Sequence, residues 1–386
     1  MYIVHVAEYL DLSFGGPSIC VPSIAAAQAK KGHDLKVLCY EPEDVTGYFE
    51  FLKLNVPNYS NIEFIFIPRP NRFGSYFLNK NTIKILLSVI GAANVLHVHG
   101  VWKPLLLKSL QIAKKANVKR IVTPHGMLDP WSLSQKKIRK TLALLLGWKE
   151  GLNNCTYIHA LNKSERDLMK SLKLKSPVKI VSNGVFRENF YSLPPKGSFH
   201  KKHKDLNGRP FILFLSRLHY KKGLDYLIES YSIFSKANNS VDLVIAGPDG
   251  GELEKLRSNI AMHKLNNRVH IVGPLYNDDK FSALVDASCF CLPSRQEGFS
   301  IAITEALACG TPVVISENCN FPEVSDNNCG FVVPLKSELI ADALNKILSS
   351  DALLDKMSES SQRLVFTSYI WDVVANSLVD GYNGYS

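Results

Sequence analysis

Two carboxylates, Glu297 and Glu305, stand eight residues apart in EGFSIAITE, separated by a glycine, an aromatic and an apolar run. Paired acids suggest glycoside hydrolysis, so their separation is the first thing to test. On one continuous helix, eight steps of about 1.5 Å would hold them roughly 12 Å apart and turned off a common face. Acid pairs that hydrolyse glycosides sit at about 5 Å for retention and up to about 9.5 Å for inversion, so helix geometry argues against such a pair. Gly298 instead predicts a turn that carries Glu297, with a helix beginning near Ser300 and Glu305 in its second turn. The two acids then flank a helix N-terminus, whose unpaired N–H groups favour an anion while each carboxylate accepts from hydroxyls. A sugar nucleotide carries both kinds of group.

Other residues with usable chemistry follow strand-like runs. After MYIVHVAEY, Gly15 and Gly16 would let backbone approach a phosphate or sugar before a helix that starts near Pro17, or would serve a tight turn and nothing more. After FILFLS, Arg217 and Lys222 lie in a short connection where a planar fork and a mobile point charge could meet one diphosphate; a solvated basic loop is the alternative. After RIVTP, His125 could donate to a hydroxyl, steady developing charge or move a proton, or could be satisfied by nearby backbone. His97 and His99 in VLHVHG have weaker claims. With no HExxH and no CxxC, the sequence predicts no metal site.

The elements that must position these residues are legible as a pattern. The chain has 386 residues, 46% of them hydrophobic, enough for two or three domains with substantial cores. Seven apolar runs, MYIVHVAEY, DLKVLCY, IEFIFIP, NVLHVHG, RIVTPHG, CTYIHAL and VKIVSNG, alternate with segments such as PSICVPSIAAAQAKKG and SERDLMKSLK, the latter with a serine expected as its cap. FILFLSR, VDLVIAG, RVHIVG, CFCLP and TPVVIS repeat the organisation. Alternation of this kind predicts parallel strands joined by crossover helices, hence two doubly wound α/β domains. In such sheets ligands sit beyond the C-terminal strand ends. Between the two sets, YSLPPKGSFHKKHKDLNGRP loses periodicity and gathers Pro, Gly and charge, as a linker would.

A net charge of +10 favours phosphates, anionic membranes or nucleic acid without choosing among them. The eight cysteines are expected as buried reduced thiols. No apolar run reaches the roughly 20 residues that span a bilayer, and the chain enters a strand at once, so a secretory signal is not expected. In WSLSQKKIRKTLALLLGWKEGL, Lys136, Lys137, Arg139 and Lys140 precede an apolar and aromatic continuation that could settle on an anionic membrane or contact a lipid-linked diphosphate; a packed helix with a solvated basic face is the alternative.

Taken together, FGGPS, TPHG, SRLHYKKG, AGPDG and PSRQEGFSIAITEALACGTPVV resemble family 4 of the retaining glycosyltransferases, over nearly the whole chain. The resemblance implies the GT-B fold, two doubly wound Rossmann-like domains facing an interdomain cleft. It implies an N-terminal acceptor-binding domain at 1–190, a linker at 191–208, a nucleotide-sugar-binding domain at 209–368, and a terminal segment, 369–386, crossing back onto the first. The activity implied is that of a retaining hexosyltransferase, moving sugar from a UDP- or GDP-sugar to a saccharide or polyprenyl-linked saccharide acceptor in polysaccharide, lipopolysaccharide or glycolipid assembly. A cytoplasmic location follows, with possible peripheral contact at the inner face of the membrane, no metal or other cofactor, and no nucleic-acid partner.

By the same resemblance Arg217 and Lys222 hold the diphosphate, Glu305 receives ribose hydroxyls and Glu297 orients the transferred sugar. Gly298, Phe299, Ser300 and Ile301 form the loop and helix start at the donor, Gly15 and Gly16 the N-terminal loop facing the diphosphate, and His125 the active-site histidine. The implied chemistry is a front-face displacement in which the leaving diphosphate helps accept the acceptor's proton while fixed donors stabilise its charge. A GT-B sugar-nucleotide epimerase is the second reading. A basic nucleic-acid-binding protein is the third, although no RNA-reading aromatic motif is evident.

Overall fold

A computed structural model describes residues 1–12, 15–70 and 78–384, the side chain of Trp131 excepted. Ser13 and Phe14, beside the glycines of FGGPS, fall outside the described residues. The chain divides into two units, Met1–Phe186 with Trp371–Ser386, and Arg187–Ile370.

The first unit is built on a seven-stranded parallel sheet: β1 (Tyr2–Val6), β2 (Asp34–Tyr40), β3 (Ile62–Ile67), β4 (Val95–His99), β5 (Lys119–Thr123), β6 (Tyr157–Ala160) and β7 (Val178–Ile180), in the order β3-β2-β1-β4-β5-β6-β7. All seven were legible as mainly apolar runs, because the strands of a parallel sheet flanked by helices carry few exposed polar positions. The second unit holds six: β8 (Phe211–Leu215), β9 (Asp242–Ala246), β10 (Val269–Gly273), β11 (Cys289–Leu292), β12 (Val313–Ser316) and β13 (Gly330–Val333), in the order β10-β9-β8-β11-β12-β13. β13 was not expected. Its four residues are mostly half-buried, and it opens on Gly330, where an added Cβ would stand 1.9 Å from the Val313 carbonyl oxygen. Each order reverses once, between β1 and β4 and between β8 and β11. Connections leave such a point in opposite directions and open a crevice at the strand ends.

The helix Gly16–Ala29 follows β1 and has proline in its first turn, which needs no N–H there. The cap of the helix Lys163–Met169 is Asn162, accepting from Glu165 N, rather than the expected serine. Residues 191–208, expected as a linker, contain the helix Ser198–Lys202, and the amides of Gly197 and Phe199 donate to the buried Asp286 carboxylate at 2.5 and 2.8 Å. The terminal helix Trp371–Asn383 packs within the first unit, with Trp371 N donating to Val185 O at 3.0 Å and Tyr157 Oη to Leu378 O at 3.4 Å. All eight cysteines are free thiols, seven of them buried. Burial pushes Cys20, Cys155 and Cys319 up to about 12, leaving them without thiolate character.

Candidate functional site

At the β8/β11 reversal two loops are sewn together. The loop after β8 ends in a single 3₁₀ turn, Tyr220–Lys222, and then Gly223 at φ 69°. A Cβ on Gly223 would stand 1.9 Å from the Pro293 carbonyl oxygen, so only glycine lets the two backbones approach. Arg295 completes the join. Its N–H donates to Lys221 O at 2.7 Å, its guanidinium to Tyr220 O at 2.9 Å and to both Asp225 oxygens at 2.8 and 2.5 Å, and it stacks on Tyr220 and Tyr226. Sequence reasoning passed over Arg295; its signal was a place directly after β11, inside PSRQEG.

The consequence is that Lys222 meets Glu297. Lys222 Nζ lies 2.6 Å from Glu297 Oε1, which also accepts from Ser294 Oγ at 2.6 Å, and the Glu297 side chain is 9% exposed. The Glu297 backbone is tied on both sides, N–H to Asn318 O at 3.0 Å and C=O to Asn320 Nδ2 at 2.8 Å. Beyond it the helix runs from Ile301 to Ala308 with buried Ser300 as N-cap, and the Ser300 side chain makes no capping bond, so it satisfies none of the first-turn amides. Glu305 pairs with Lys280 at 2.6 Å, both side chains largely buried. Lys280, on the helix Asn277–Asp286, was also missed, because nothing local links it to Glu305.

Two acid–cation pairs therefore flank one helix start. The acids are not a pair on a continuous helix, since Glu297 precedes the helix and Glu305 lies within it. Phe299 packs on Phe321 and Tyr369, with ring centroids 5.7 and 6.0 Å away. Gly298 is exposed, and a Cβ built there meets nothing within 4 Å. Arg217 is exposed, and among the described residues its guanidinium has no hydrogen-bond or ion-pair partner.

In the first unit Gly15, at φ 80°, caps the helix Gly16–Ala29, and a Cβ on Gly16 meets nothing within 4 Å. His125 follows β5 at φ 52°, with Gly126 at φ 74°. Gly126 adopts its φ freely, whereas the left-handed backbone of His125, a residue with a Cβ, makes this turn costly without support. Glu165 supplies it: one carboxylate oxygen accepts from Gly126 N at 2.6 Å, the other from Leu161 N at 2.7 Å, and burial raises its pKa. His125 is partly exposed, its Nε2 is 3.2 Å from His99 Nδ1, and burial, helped by the His159 charge, lowers its pKa to about 3. His5, His97 and His99 bring ring nitrogens within 4.8 Å of one another, a spacing that could hold a metal ion. Every ring nitrogen of the three is already hydrogen-bonded, so a metal there would have to displace those partners.

The backbone matches the crystal structure of HepE from Anabaena in complex with UDP and glucose, at a TM-score of 0.78 over 99% of each chain and 17% identity. The fold class is GT-B, with two parallel α/β sheets of seven and six strands. Residues 14–188 match the model of Glycosyltransferase Family 4 and residues 196–364 that of Glycosyl transferases group 1. The chain belongs to this family: it is a glycosyltransferase that uses nucleotide-sugar donors, and the members of the family are retaining. It is 24% identical to an uncharacterized glycosyltransferase from Methanocaldococcus jannaschii over 97% of this chain and 96% of that one. It is 30% identical to the phosphatidyl-myo-inositol mannosyltransferase of Mycobacterium leprae over 52% of each.

Proposed function

We propose that this chain moves a sugar, with retention, from a UDP- or GDP-sugar to a saccharide or polyprenyl-linked saccharide acceptor, in polysaccharide, lipopolysaccharide or glycolipid assembly at the inner face of the cytoplasmic membrane. The observation that carries the donor half is the meeting of Lys222, Glu297 and an uncapped helix start at the β8/β11 reversal. In this reading the diphosphate lies against the first-turn amides of the helix Ile301–Ala308, with Arg217 and Lys222 neutralising the charge that grows as the glycosidic bond breaks. Glu297, already oriented by Lys222 and Ser294, takes sugar hydroxyls, and Glu305 takes the ribose. The first unit receives the acceptor, with His125 and the Gly15–Gly16 turn as its residues for transfer.

A lipid-linked acceptor is supported by the segment 136–148. Ile138, Leu145 and Leu146 are each more than three-quarters exposed, beside exposed Lys136, Lys137 and Arg139, whereas a packed amphipathic helix would bury those apolar side chains. Lys140 is turned back to Ser132. Among the described residues no helix is long and apolar enough to cross a membrane, so contact would be peripheral. The mannosyltransferase relative is named for a lipid substrate.

The test is a matrix of UDP-, GDP- and ADP-sugars, reading nucleotide release with and without lipid-linked saccharides. Acceptor-dependent release and a product with retained anomeric configuration are expected. An inverted product, or conversion of the sugar nucleotide to an epimer without acceptor, would reject the proposal.

A further inference from the structure

One face of the first sheet carries an unusual row of buried polar side chains. His5 on β1, His97 and His99 on β4, Thr123 on β5 and His159 on β6 are all buried, and His5 is the register partner of His97. They form one continuous hydrogen-bonded chain with Gln28 of the helix Gly16–Ala29 and Tyr382 of the helix Trp371–Asn383. From one end it runs Val181 O to His159 Nε2 (2.6 Å), His159 Nδ1 to Thr123 Oγ1 (2.8 Å), Thr123 Oγ1 to His97 Nε2 (2.7 Å) and His97 Nδ1 to Tyr382 Oη (2.7 Å). It continues from Tyr382 Oη to Gln28 Nε2 (3.0 Å), Gln28 Oε1 to His5 Nε2 (2.8 Å), His5 Nδ1 to His99 Nε2 (2.9 Å) and His99 Nδ1 to His125 Nε2 (3.2 Å).

The direction of every bond follows from the first. A carbonyl oxygen only accepts, so His159 carries its proton on Nε2, and a neutral imidazole then accepts at Nδ1. Thr123 must donate to it, and so accepts from His97 Nε2–H. His97 Nδ1 accepts from Tyr382 O–H, and the phenol oxygen accepts from the Gln28 amide. Gln28 Oε1 accepts from His5 Nε2–H, His5 Nδ1 accepts from His99 Nε2–H, and His99 Nδ1 accepts from His125 Nε2–H. Reversing the Gln28 amide would reverse the first half of the chain and set a lone pair of His159 against the Val181 carbonyl at 2.6 Å. All five rings are held neutral by the same burial, which lowers His5 and His159 to about 4 and depresses His97 and His99 further.

We infer that this directional chain locks His125 as the Nε2–H tautomer, so that its Nδ1 presents a lone pair and accepts a hydrogen bond from a substrate hydroxyl rather than donating one. Gln28 and Tyr382 are positioning residues for that tautomer, and docking of the terminal helix is thereby coupled to the chemistry His125 offers. This narrows the three roles open to His125 from sequence: the resting ring is a hydrogen-bond acceptor, and Nδ1, which has no partner among the described residues, carries no proton to give. The functional half rests on the role in transfer proposed for His125 above; the tautomer itself does not.

The test uses the full chain labelled with ¹⁵N in its histidine rings, and two-bond ¹H–¹⁵N couplings assign each tautomer, with His125→Gln identifying the His125 signals. Wild type should show His125 protonated at Nε2 alone. Tyr382→Phe frees the Gln28 amide to turn, and Gln28→Leu removes the director from His5, so each should give a mixture of both His125 tautomers. With a working sugar-nucleotide donor, Tyr382→Phe should lower kcat/KM at least tenfold while affinity for the free nucleoside diphosphate stays unchanged, a split that general loosening of the fold would not give. Wild-type His125 protonated at Nδ1 or at both nitrogens, unchanged tautomers in both variants, or unchanged kcat/KM in Tyr382→Phe would each overturn the inference. Absence of turnover with every donor would instead count against the proposed function, and the spectra would still decide the tautomer.

Discussion

Gly298→Ala separates folding from donor use. Gly298 has no left-handed φ, and a Cβ there meets nothing within 4 Å, so the methyl neither strains the backbone nor displaces a neighbour. Stability should rise by roughly 0.4–1 kcal/mol, because alanine has less freedom to lose from the unfolded chain. If the donor's sugar and phosphate lie against this backbone, with amide contacts near 2.9 Å, the methyl forces them outward by on the order of 1 Å, which costs about 100-fold in rate. Gly223→Ala is the contrast. Its Cβ would collide with the Pro293 carbonyl at 1.9 Å, and its φ of 69° is left-handed. Together these predict a loss of about 3 kcal/mol in stability and in activity alike. Urea unfolding and initial rates on both variants decide it. A Gly298→Ala enzyme with wild-type kcat/KM would refute the close approach of donor to that loop, and one destabilised by more than about 1 kcal/mol would refute the geometry.

Three further outcomes are expected. Lys222→Ala leaves the Glu297 carboxylate with only Ser294 as partner among the described residues and should cost about 1–3 kcal/mol in urea unfolding, most of which Lys222→Met with Glu297→Gln restores while donor turnover stays lost; a double variant as unstable as the single would sink the pair. Because the folded state lowers the pKa of His5 and His159 from 6.5 to about 4, the unfolded chain takes up protons first as pH falls. Stability should be whole above pH 6.5 and decline towards pH 4 by roughly 1.4 kcal/mol per pH unit for each such ring, so equal unfolding midpoints at pH 7 and pH 5 would contradict neutral buried imidazoles. Cosedimentation with anionic vesicles should weaken about 100-fold when Lys136, Lys137 and Arg139 are replaced by Gln, at about 1 kcal/mol each, and partitioning indifferent to that change would remove the membrane proposal.

Much of the fold was legible because its signals are local. Twelve of the strands are mainly apolar runs of three to seven residues, readable without knowing what packs on them. β13 was missed for the converse reason: its run is short and half-exposed, and what defines it is the approach of Gly330 to Val313, distant in sequence. The same limit explains the cap of the helix Lys163–Met169, where Asn162 and Ser164, two positions apart, compete and only geometry selects Asn162.

The site divides along the same line. By itself the sequence determined the residue types, their places after strands, and the inference that Glu297 and Glu305 straddle a helix start, since each depends on spacing within one segment. Tertiary structure decided the partners. Lys222 meets Glu297 across 75 residues, Lys280 meets Glu305 from another helix, and Arg295 ties the two loops at the β8/β11 reversal. His125 looked like an isolated histidine in TPHG. Its chemistry is set by a chain of hydrogen bonds that draws on four strands and reaches Tyr382, because a neutral imidazole has one proton and only its neighbours in space determine which nitrogen holds it.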